Sequence, residues 1–343
     1  MTHTRLLLIT DTHGHLGQIN ALAAKTEADA VIHAGDFGFY DSESTTSLSD
    51  RELALRIVHS GLEPDVRKRA FDISRAEKVS LIHERCPLSD LPQYLSGQKK
   101  FNVPVYAVWG NHEDKTVVEK FLREEYRVQN LYLLHEKQSY HAGPFHLAGL
   151  GGNFLLDDKL FQKPLAGAGG RIWSTLPQYF DLIQTVQASA REGDIRLLVS
   201  HVSSGKEPFI SAIGAHCHTN FIVSGHMGPP VAMTWNDFAI SEVAEAEARL
   251  RRRLEDVARA WSQSKLHTPH EAAPERIEAG LEQITRLPDE RVRAGRGVMV
   301  PWWYMNMTHV NLPDADTGHA LLTAYEDGRL SLDASGTSAP RQP

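Results

Sequence analysis

Five short apolar runs in this chain end in the same way, and that shared ending limits the fold more than any other feature. The clearest is Val105-Tyr106-Ala107-Val108-Trp109, a β-branched and aromatic run that stops at Gly110 and leads straight into Asn111, His112 and Glu113. Val117, Val118, Phe121 and Leu122 then recur at helical spacing. This is a strand, a tight loop and a helix, and the loop holds three side chains able to bind a metal or move a proton. Four other loops share the grammar: Asp11-Thr12-His13, Gly35-Asp36, Ser200-His201 and Gly225-His226, each after an apolar run. Open α/β sheets carry their sites at the carboxyl ends of their strands. Five such loops can therefore meet along one sheet edge, where they would supply two Asp, one Asn and four His.

The intervening chain reads as βαβ units. Residues 5–10 are a continuous apolar run of strand length, as strands buried on both faces are. Leu16, Ile19, Leu22 and Ala23 follow at helical spacing, and residues 30–34 form the second strand. Residues 41–100 change character. A Ser/Thr/Asp loop leads to Ser49-Asp50-Arg51-Glu52, which has capping-box spacing and opens a helix with Leu53, Leu55, Ile57 and Val58. A second helix is expected over 65–84, and we read the region as a helical insertion beside the site. Short runs at 130–134, 138–141 and 145–150 predict a meander in a second sheet. Residues 153–170 are a long Gly-rich loop, a type that often carries function.

Helices are expected over 176–190, 243–261 and 275–286, the last two within a second insertion at 241–297. The 243–261 helix has an apolar stripe of Leu250, Leu254, Val257 and Trp261. Arg249, Arg251, Arg252 and Arg253 crowd its polar side, with Glu245, Glu247 and Glu255 as helical partners. Runs at 195–199, 221–224, 298–311, 320–325 and 330–333 read as strands that complete the sheets. The expected organisation is one domain over 1–335 with a disordered tail at 336–343.

Composition narrows the class. The chain has 343 residues, 41% hydrophobic and 23% charged, which is ordinary for a soluble globular protein with a large core. A net charge of -7 argues against broad electrostatic binding of nucleic acid or an anionic membrane. The two cysteines, Cys86 and Cys217, require no disulfide framework and fit a reducing compartment. The first apolar run is too short for a signal peptide or a membrane span. A cytoplasmic protein is the expectation.

The residue types gathered in the five loops suit a pair of divalent ions. Carboxylate, amide oxygen and imidazole favour Mn, Fe, Zn or Ni over thiolate-seeking ions. Two such ions, on the order of 3.5–4 Å apart, can bind a phosphoryl oxygen, lower the pKa of a bridging water and stabilise in-line displacement. A nearby unligated His can protonate the leaving oxygen.

The order Asp11-x-His13, Gly35-Asp36, Gly110-Asn111-His112-Glu113, His201 and Gly225-His226 resembles the calcineurin-like metallophosphoesterase superfamily. One such motif is weak, but five in order after expected strands are specific. The resemblance implies an α/β fold, a four-layer αββα sandwich of two mixed sheets carrying helical insertions. It implies two divalent metal ions. Asp11 and His13 would bind the first, Asp36 would bridge both, and Asn111, His201 and His226 would complete the second. His112 would be the catalytic His that assists the leaving group, with a metal-bridging hydroxide as nucleophile. The expected activity is hydrolysis of a small phosphomonoester or phosphodiester. A nuclease of the same superfamily gains no support from the acidic balance.

Two positions depart from the superfamily's pattern. Its last motif usually reads Gly-His-x-His, and the final His binds the first metal. Here Gly228 stands in that place. The first site should then be weaker, or be completed by a substitute, with His216 and His218 the nearby candidates. Many members also carry Asp or Asn three residues after the bridging Asp, supporting the catalytic His. Here that residue is Phe39, with Asp41 as the nearest replacement. The Gly-Asp-x-x-Asp-Arg-Gly of the phosphoprotein phosphatases is absent, which argues against a protein Ser/Thr phosphatase. The departures motivate an alternative: a degenerate member with one metal or none, acting as a binding or regulatory protein through the helices between 241 and 287. His33, His141 and His146 are expected to be ordinary satisfied polar residues.

Overall fold

The apolar runs of the N-terminal half form parallel strands because both of their faces are covered. In the computed structural model, residues 3–334 are described apart from 59, 163–164, 169–170, 229–230 and 267–272. The tail expected at 336–343 lies outside the described residues. In chain order the strands are β1 (His3–Ile9), β2 (Ala30–Ala34), β3 (Val105–Val108), β4 (Leu131–Leu133), β5 (Tyr140–Ala142), β6 (Phe145–Leu150), β7 (Ala166–Ala168), β8 (Arg171–Trp173), β9 (Ile195–Ser200), β10 (Phe221–Ser224), β11 (Met233–Asn236), β12 (Arg291–Arg293), β13 (Met299–Pro301), β14 (Thr308–Asn311), β15 (Ala320–Tyr325) and β16 (Leu330–Asp333). The helices are α1 (Gly17–Thr26), α2 (Ser44–Ser47), α3 (Asp50–Val58), α4 (Pro64–Lys68), α5 (Arg75–Arg85), α6 (Leu91–Leu95), α7 (Lys115–Leu122), α8 (Leu176–Ser189), α9 (Pro208–His216), α10 (Asp237–Ile240), α11 (Val243–Ser264), α12 (Pro274–Thr285) and α13 (Trp302–Asn306).

One six-stranded sheet has the order β16-β15-β1-β2-β3-β4 and the other β11-β14-β10-β9-β6-β5. Strands β1 to β4 are parallel, and β15 and β16 add antiparallel pairs at one edge. In the second sheet β6, β9, β10 and β14 are parallel, flanked by antiparallel β5 and β11. Alternate side chains of a strand face opposite sides of its sheet. Leu6, Leu8, Ile32 and Val108 therefore meet Leu147, Val199, Val223 and Val310 of the other sheet. Leu7 and Ile9 turn the other way, into a core with Ile19 of α1. Helix α8 packs beside β6 on the far side. This is the α/β sandwich of two mixed sheets that the sequence led us to expect.

Several local expectations need correction. The three runs between 130 and 150 are not one meander. β4 joins the first sheet beside β3, while β5 and β6 join the second. The helix expected over 65–84 is two, α4 and α5. Ser74 and Glu77 form a capping box that starts the second, each side chain pairing with the other residue's backbone N–H. The strand expected over 298–311 is interrupted by α13, which takes up Trp302, Trp303 and Tyr304.

Helices α2 to α6 occupy the stretch between β2 and β3. Leu48, Leu53, Ala54, Ile57, Ile82 and Cys86 give them a small core of their own. The stripe on α11 is spent inside the chain. Leu250, Leu254, Val257 and Trp261 are all buried, and the Trp261 ring lies 5.2 Å from that of Phe161. The α11 arginines also reach beyond their helical neighbours: Arg249 pairs with Asp237 at 2.7 Å, and Arg253 Nε donates to Glu207 at 2.7 Å. No helix among the described residues is long and apolar enough to cross a membrane. Leu254→Ala should cost about 2–5 kcal/mol, the usual penalty for emptying a packed site. Denaturant unfolding followed by circular dichroism would show it as a lowered midpoint.

Candidate metal centre

The parallel strands of both sheets end at one rim, so the site lies across two sheet edges and not along one. Beyond β1 and β2 the chains continue side by side, with Asp11 N donating to Gly35 O at 2.9 Å and His13 N to Asp36 O at 2.8 Å. The second sheet is tied in where His201 Nδ1 lies 2.9 Å from the Ala34 carbonyl, and where His226 N donates to Asp11 Oδ2 at 3.3 Å. Asp11, His13, Asp36 and His226 have φ of 53°, 46°, 47° and 66°. Non-glycine residues seldom adopt this left-handed backbone, and each costs on the order of 1–3 kcal/mol. The surrounding hydrogen bonds hold them there. A Cβ on Gly110 would lie 1.9 Å from Asp36 Oδ1, so only glycine lets the β3 loop approach that carboxylate.

Glu113 has a different place from the one its motif suggested. It is fully buried and is taken up by backbone N–H groups. Its two oxygens accept backbone N–H groups from Phe37 at 2.7 Å, Gly38 at 3.1 Å, Phe39 at 2.6 Å and Gly110 at 3.2 Å. The carboxylate straps the Asp36 loop to the Asn111 loop.

Asp36 is central, and its two oxygens face opposite ways. Oδ2 lies 3.9 Å from His13 Nδ1, while His13 Nε2 lies 3.9 Å from Asp11 Oδ1. Ligand atoms of Asp11, His13 and Asp36 all fall within 4.8 Å of one another. On the other side Asp36 Oδ1 is 3.6 Å from His201 Nε2, which is 2.9 Å from Asn111 Oδ1 and 3.1 Å from His226 Nδ1. A carbonyl can only accept, so the contact with Ala34 places the proton of neutral His201 on Nδ1. Nε2 is left with a bare lone pair among these donors.

The electrostatics agree with that arrangement. Burial holds His201 below the ordinary imidazole range, and burial together with His201 pushes His226 down to about 3. Burial and the charge of Asp36 push Asp11 up to about 6. Burial opposes ionisation of Asp36 as well, yet His201, His112 and His13 hold it below the usual carboxylate range. Separations of 3.6 and 3.9 Å are too long for hydrogen bonds. A single His13 nitrogen can serve an ion here, and with one ligand atom from each of Asp11, His13 and Asp36 inside 4.8 Å the spacing suits atoms that share a cation, since ligands each about 2.1 Å from one ion lie roughly 3–4 Å apart. The donor set therefore fits divalent metal.

His112 lies beside this group. Its N–H donates to Asp36 Oδ1 at 3.0 Å, and the Tyr40 hydroxyl donates to its carbonyl. Its Nδ1 is 2.8 Å from Oε2 of buried Glu52, whose other oxygen is 3.5 Å from Arg171 Nε. Burial would lower the His112 pKa, but the Glu52 hydrogen bond and the charge of Asp36 outweigh it and raise it. Glu52 was visible in the sequence only as a helix-capping residue. Its Cβ-to-carboxylate reach carries it from the first turn of α3 to His112. Arg171 sits on β8, whose backbone pairs with the β3 loop through Ile172 N and Asn111 O at 3.1 Å. A cavity of about 290 Å³ opens in front, lined by His13, His112, Tyr40, Arg51, Arg56 and Arg171 among others.

The replacements suggested by sequence lie elsewhere. Asp41 accepts from Lys120 and Tyr126, each at 2.8 Å, and Phe39 stacks on Phe37 at 4.8 Å. His216 bonds to the Ile284 carbonyl at 3.0 Å, and His218 lies 3.4 Å from Glu290. Both precede β10, and His226 follows it, so the strand separates them from the centre. His33, His141 and His146 have ordinary partners in Thr12, Asp194 and Ser189 at 3.0, 3.1 and 3.0 Å.

A family model described as calcineurin-like phosphoesterase matches residues 4–238. No curated protein matches the chain. Among solved structures, a dimetal phosphatase from Danio rerio is similar at 11% identity and a TM-score of 0.40, over 98% of this chain and 97% of that one. A 5'-nucleotidase precursor from Thermus thermophilus is similar at 12% identity and a TM-score of 0.38, over 97% of this chain and 54% of its own.

Glu113→Ala would leave buried backbone N–H groups without an acceptor, at about 1–3 kcal/mol each. The variant should lose at least about 3 kcal/mol of stability. Chemical denaturation of the metal-free protein measures this directly.

Proposed function

This chain belongs to the calcineurin-like phosphoesterase family, and from that premise we propose that it is a metal-dependent hydrolase of small phosphomonoesters or phosphodiesters. The observation that carries the reading is Asp36, one oxygen directed to His13 and the other to His201. In this reading Asp11 and His13 hold one ion, Asn111, His201 and His226 hold the other, and Asp36 serves both. Divalent ions bound there would polarise a phosphoryl oxygen and supply a water of lowered pKa. The nitrogen and oxygen donors favour Mn, Fe, Zn or Ni.

The protein's own groups then divide the remaining work. Glu52 accepts from His112 Nδ1–H, which fixes the ring and favours its protonated form. Nε2–H is left to donate to the departing ester oxygen. Arg51, Arg56 and Arg171 give the cavity a positive lining suited to an anionic ester. Support for the binding-protein alternative is thinner. Glu52 supplies the His112 partner that Phe39 does not, and the α11 stripe meant for a partner is buried. Two buried, unpaired cysteines favour a cytoplasmic setting.

Metal-stripped protein titrated with Mn²⁺ should hydrolyse an aryl phosphomonoester or a bis-aryl phosphodiester only when metal is present. His112→Ala should lose about 10²- to 10⁴-fold in turnover while keeping its metal. Undiminished turnover in pure Asp36→Ala protein would overturn the reading. Glu52→Gln should lower kcat at least about 10-fold with KM little changed, because it alters the orientation and charge of His112 and not the binding of ground-state ester. Steady-state kinetics on the same two esters separates kcat from KM.

A further inference from the structure

The loop between β14 and β15 brings a third carboxylate to the first half of the centre. Asp314 Oδ2 lies 3.9 Å from His13 Nε2, the same distance that separates this nitrogen from Asp11 Oδ1. Both separations exceed a hydrogen bond and match two donors on one ion. The Asp314 side chain is only 17% exposed. Its place is set by the main chain. Leu312 N donates to Ser224 O at 2.8 Å, and Ala315 N donates to Thr10 O at 3.0 Å. Thr317 N and Gly318 N close a turn onto the Asp314 carbonyl at 2.8 and 3.1 Å. The loop is thus pinned to the ends of β10 and β1, the strands that deliver His226 and Asp11. Gly228 has φ of 96° and open space around its Cβ position, so residue 228 itself brings no side chain to the first half.

We propose that Asp314 is a protein ligand of the first metal, added to the close group of Asp11, His13 and Asp36 through the His13 Nε2 that Asp11 and Asp314 both face. This rests on the metal-centre reading given above. The first site then has three carboxylates and one imidazole, and the second has a shared carboxylate, an amide and two imidazoles. Carboxylate-rich sites favour Mn²⁺ or Mg²⁺, and imidazole-rich sites favour Zn²⁺ or Fe²⁺. The two halves are therefore built for different ions, with Asp314 making the first one hard and strongly anionic.

Mn²⁺ binding to metal-stripped protein, followed by electron paramagnetic resonance and by equilibrium dialysis, tests the assignment without reference to turnover. Asp314→Ala should weaken Mn²⁺ at one site at least about 10-fold. Asp314→Asn, which keeps the shape of the side chain, should weaken it in the same direction. Asp316→Ala, in the same loop, should leave Mn²⁺ affinity unchanged, and Asn111→Ala should weaken the other site. Unchanged Mn²⁺ isotherms in folded Asp314→Ala and Asp314→Asn would overturn the ligand assignment while leaving the metal centre standing. A wild-type protein that takes up no Mn²⁺, Zn²⁺ or Fe²⁺ would overturn the centre and the assignment with it.

Discussion

A buried carboxylate at the end of β2 sets the terms for what surrounds it. Ionised Asp36 in a dry interior is unfavourable unless positive charge or hydrogen-bond donors meet it. The structure answers with the His112 amide, and it sets imidazoles from both sheets around the carboxylate, where a shared cation would balance its charge. Those contacts require the β1, β2, β3 and β9 ends to converge within a few ångströms. The convergence in turn explains the left-handed backbone at Asp11, His13 and Asp36, the glycine at 110 and the Glu113 strap. Local strain of this kind persists only where the surrounding structure over-determines it. Here the two packed sheets do so.

The chemistry of the rim is divided between scaffold and additions. The strand ends hold the groups suited to metal, and they are positioned by main-chain hydrogen bonds. Glu52 and the arginines of the cavity come from α3 and from β8, elements outside the two large sheets. Lys78 of α5 pairs with Asp50 at the start of α3 at 2.6 Å, so the first turn of α3 is anchored from behind as well as through Glu52. The helices between β2 and β3 are thereby braced against the rim.

How much was legible in the sequence follows from the range of each signal. The strand-end loops were readable because each pairs an apolar run with its chemical group a residue or two later. Parallel strands covered on both faces also leave an unmistakable apolar run. Glu52 was not readable as a His112 partner, because 60 residues separate them and its spacing to Ser49 already had a local explanation. Asp314 lay in a turn-like stretch whose approach to His13 depends on the closing of both sheets. The strand runs between 130 and 150 are legible, but period-two alternation does not say which sheet a strand joins. The break between α4 and α5 could have been read, since Ser74 and Glu77 have the spacing of a helix start.

Glu52 touches two neighbours at once, His112 through one oxygen and Arg171 through the other. It stands in the wall of the cavity that would receive the substrate. On the proposed reading, the residue that shapes the pocket also sets the proton inventory of the catalytic His. Pocket shape and the protonation of His112 then meet in one side chain. A change at Glu52 would touch the pocket wall and the His112 proton together, whereas Arg51 and Arg56 of the same helix line the pocket without reaching that ring.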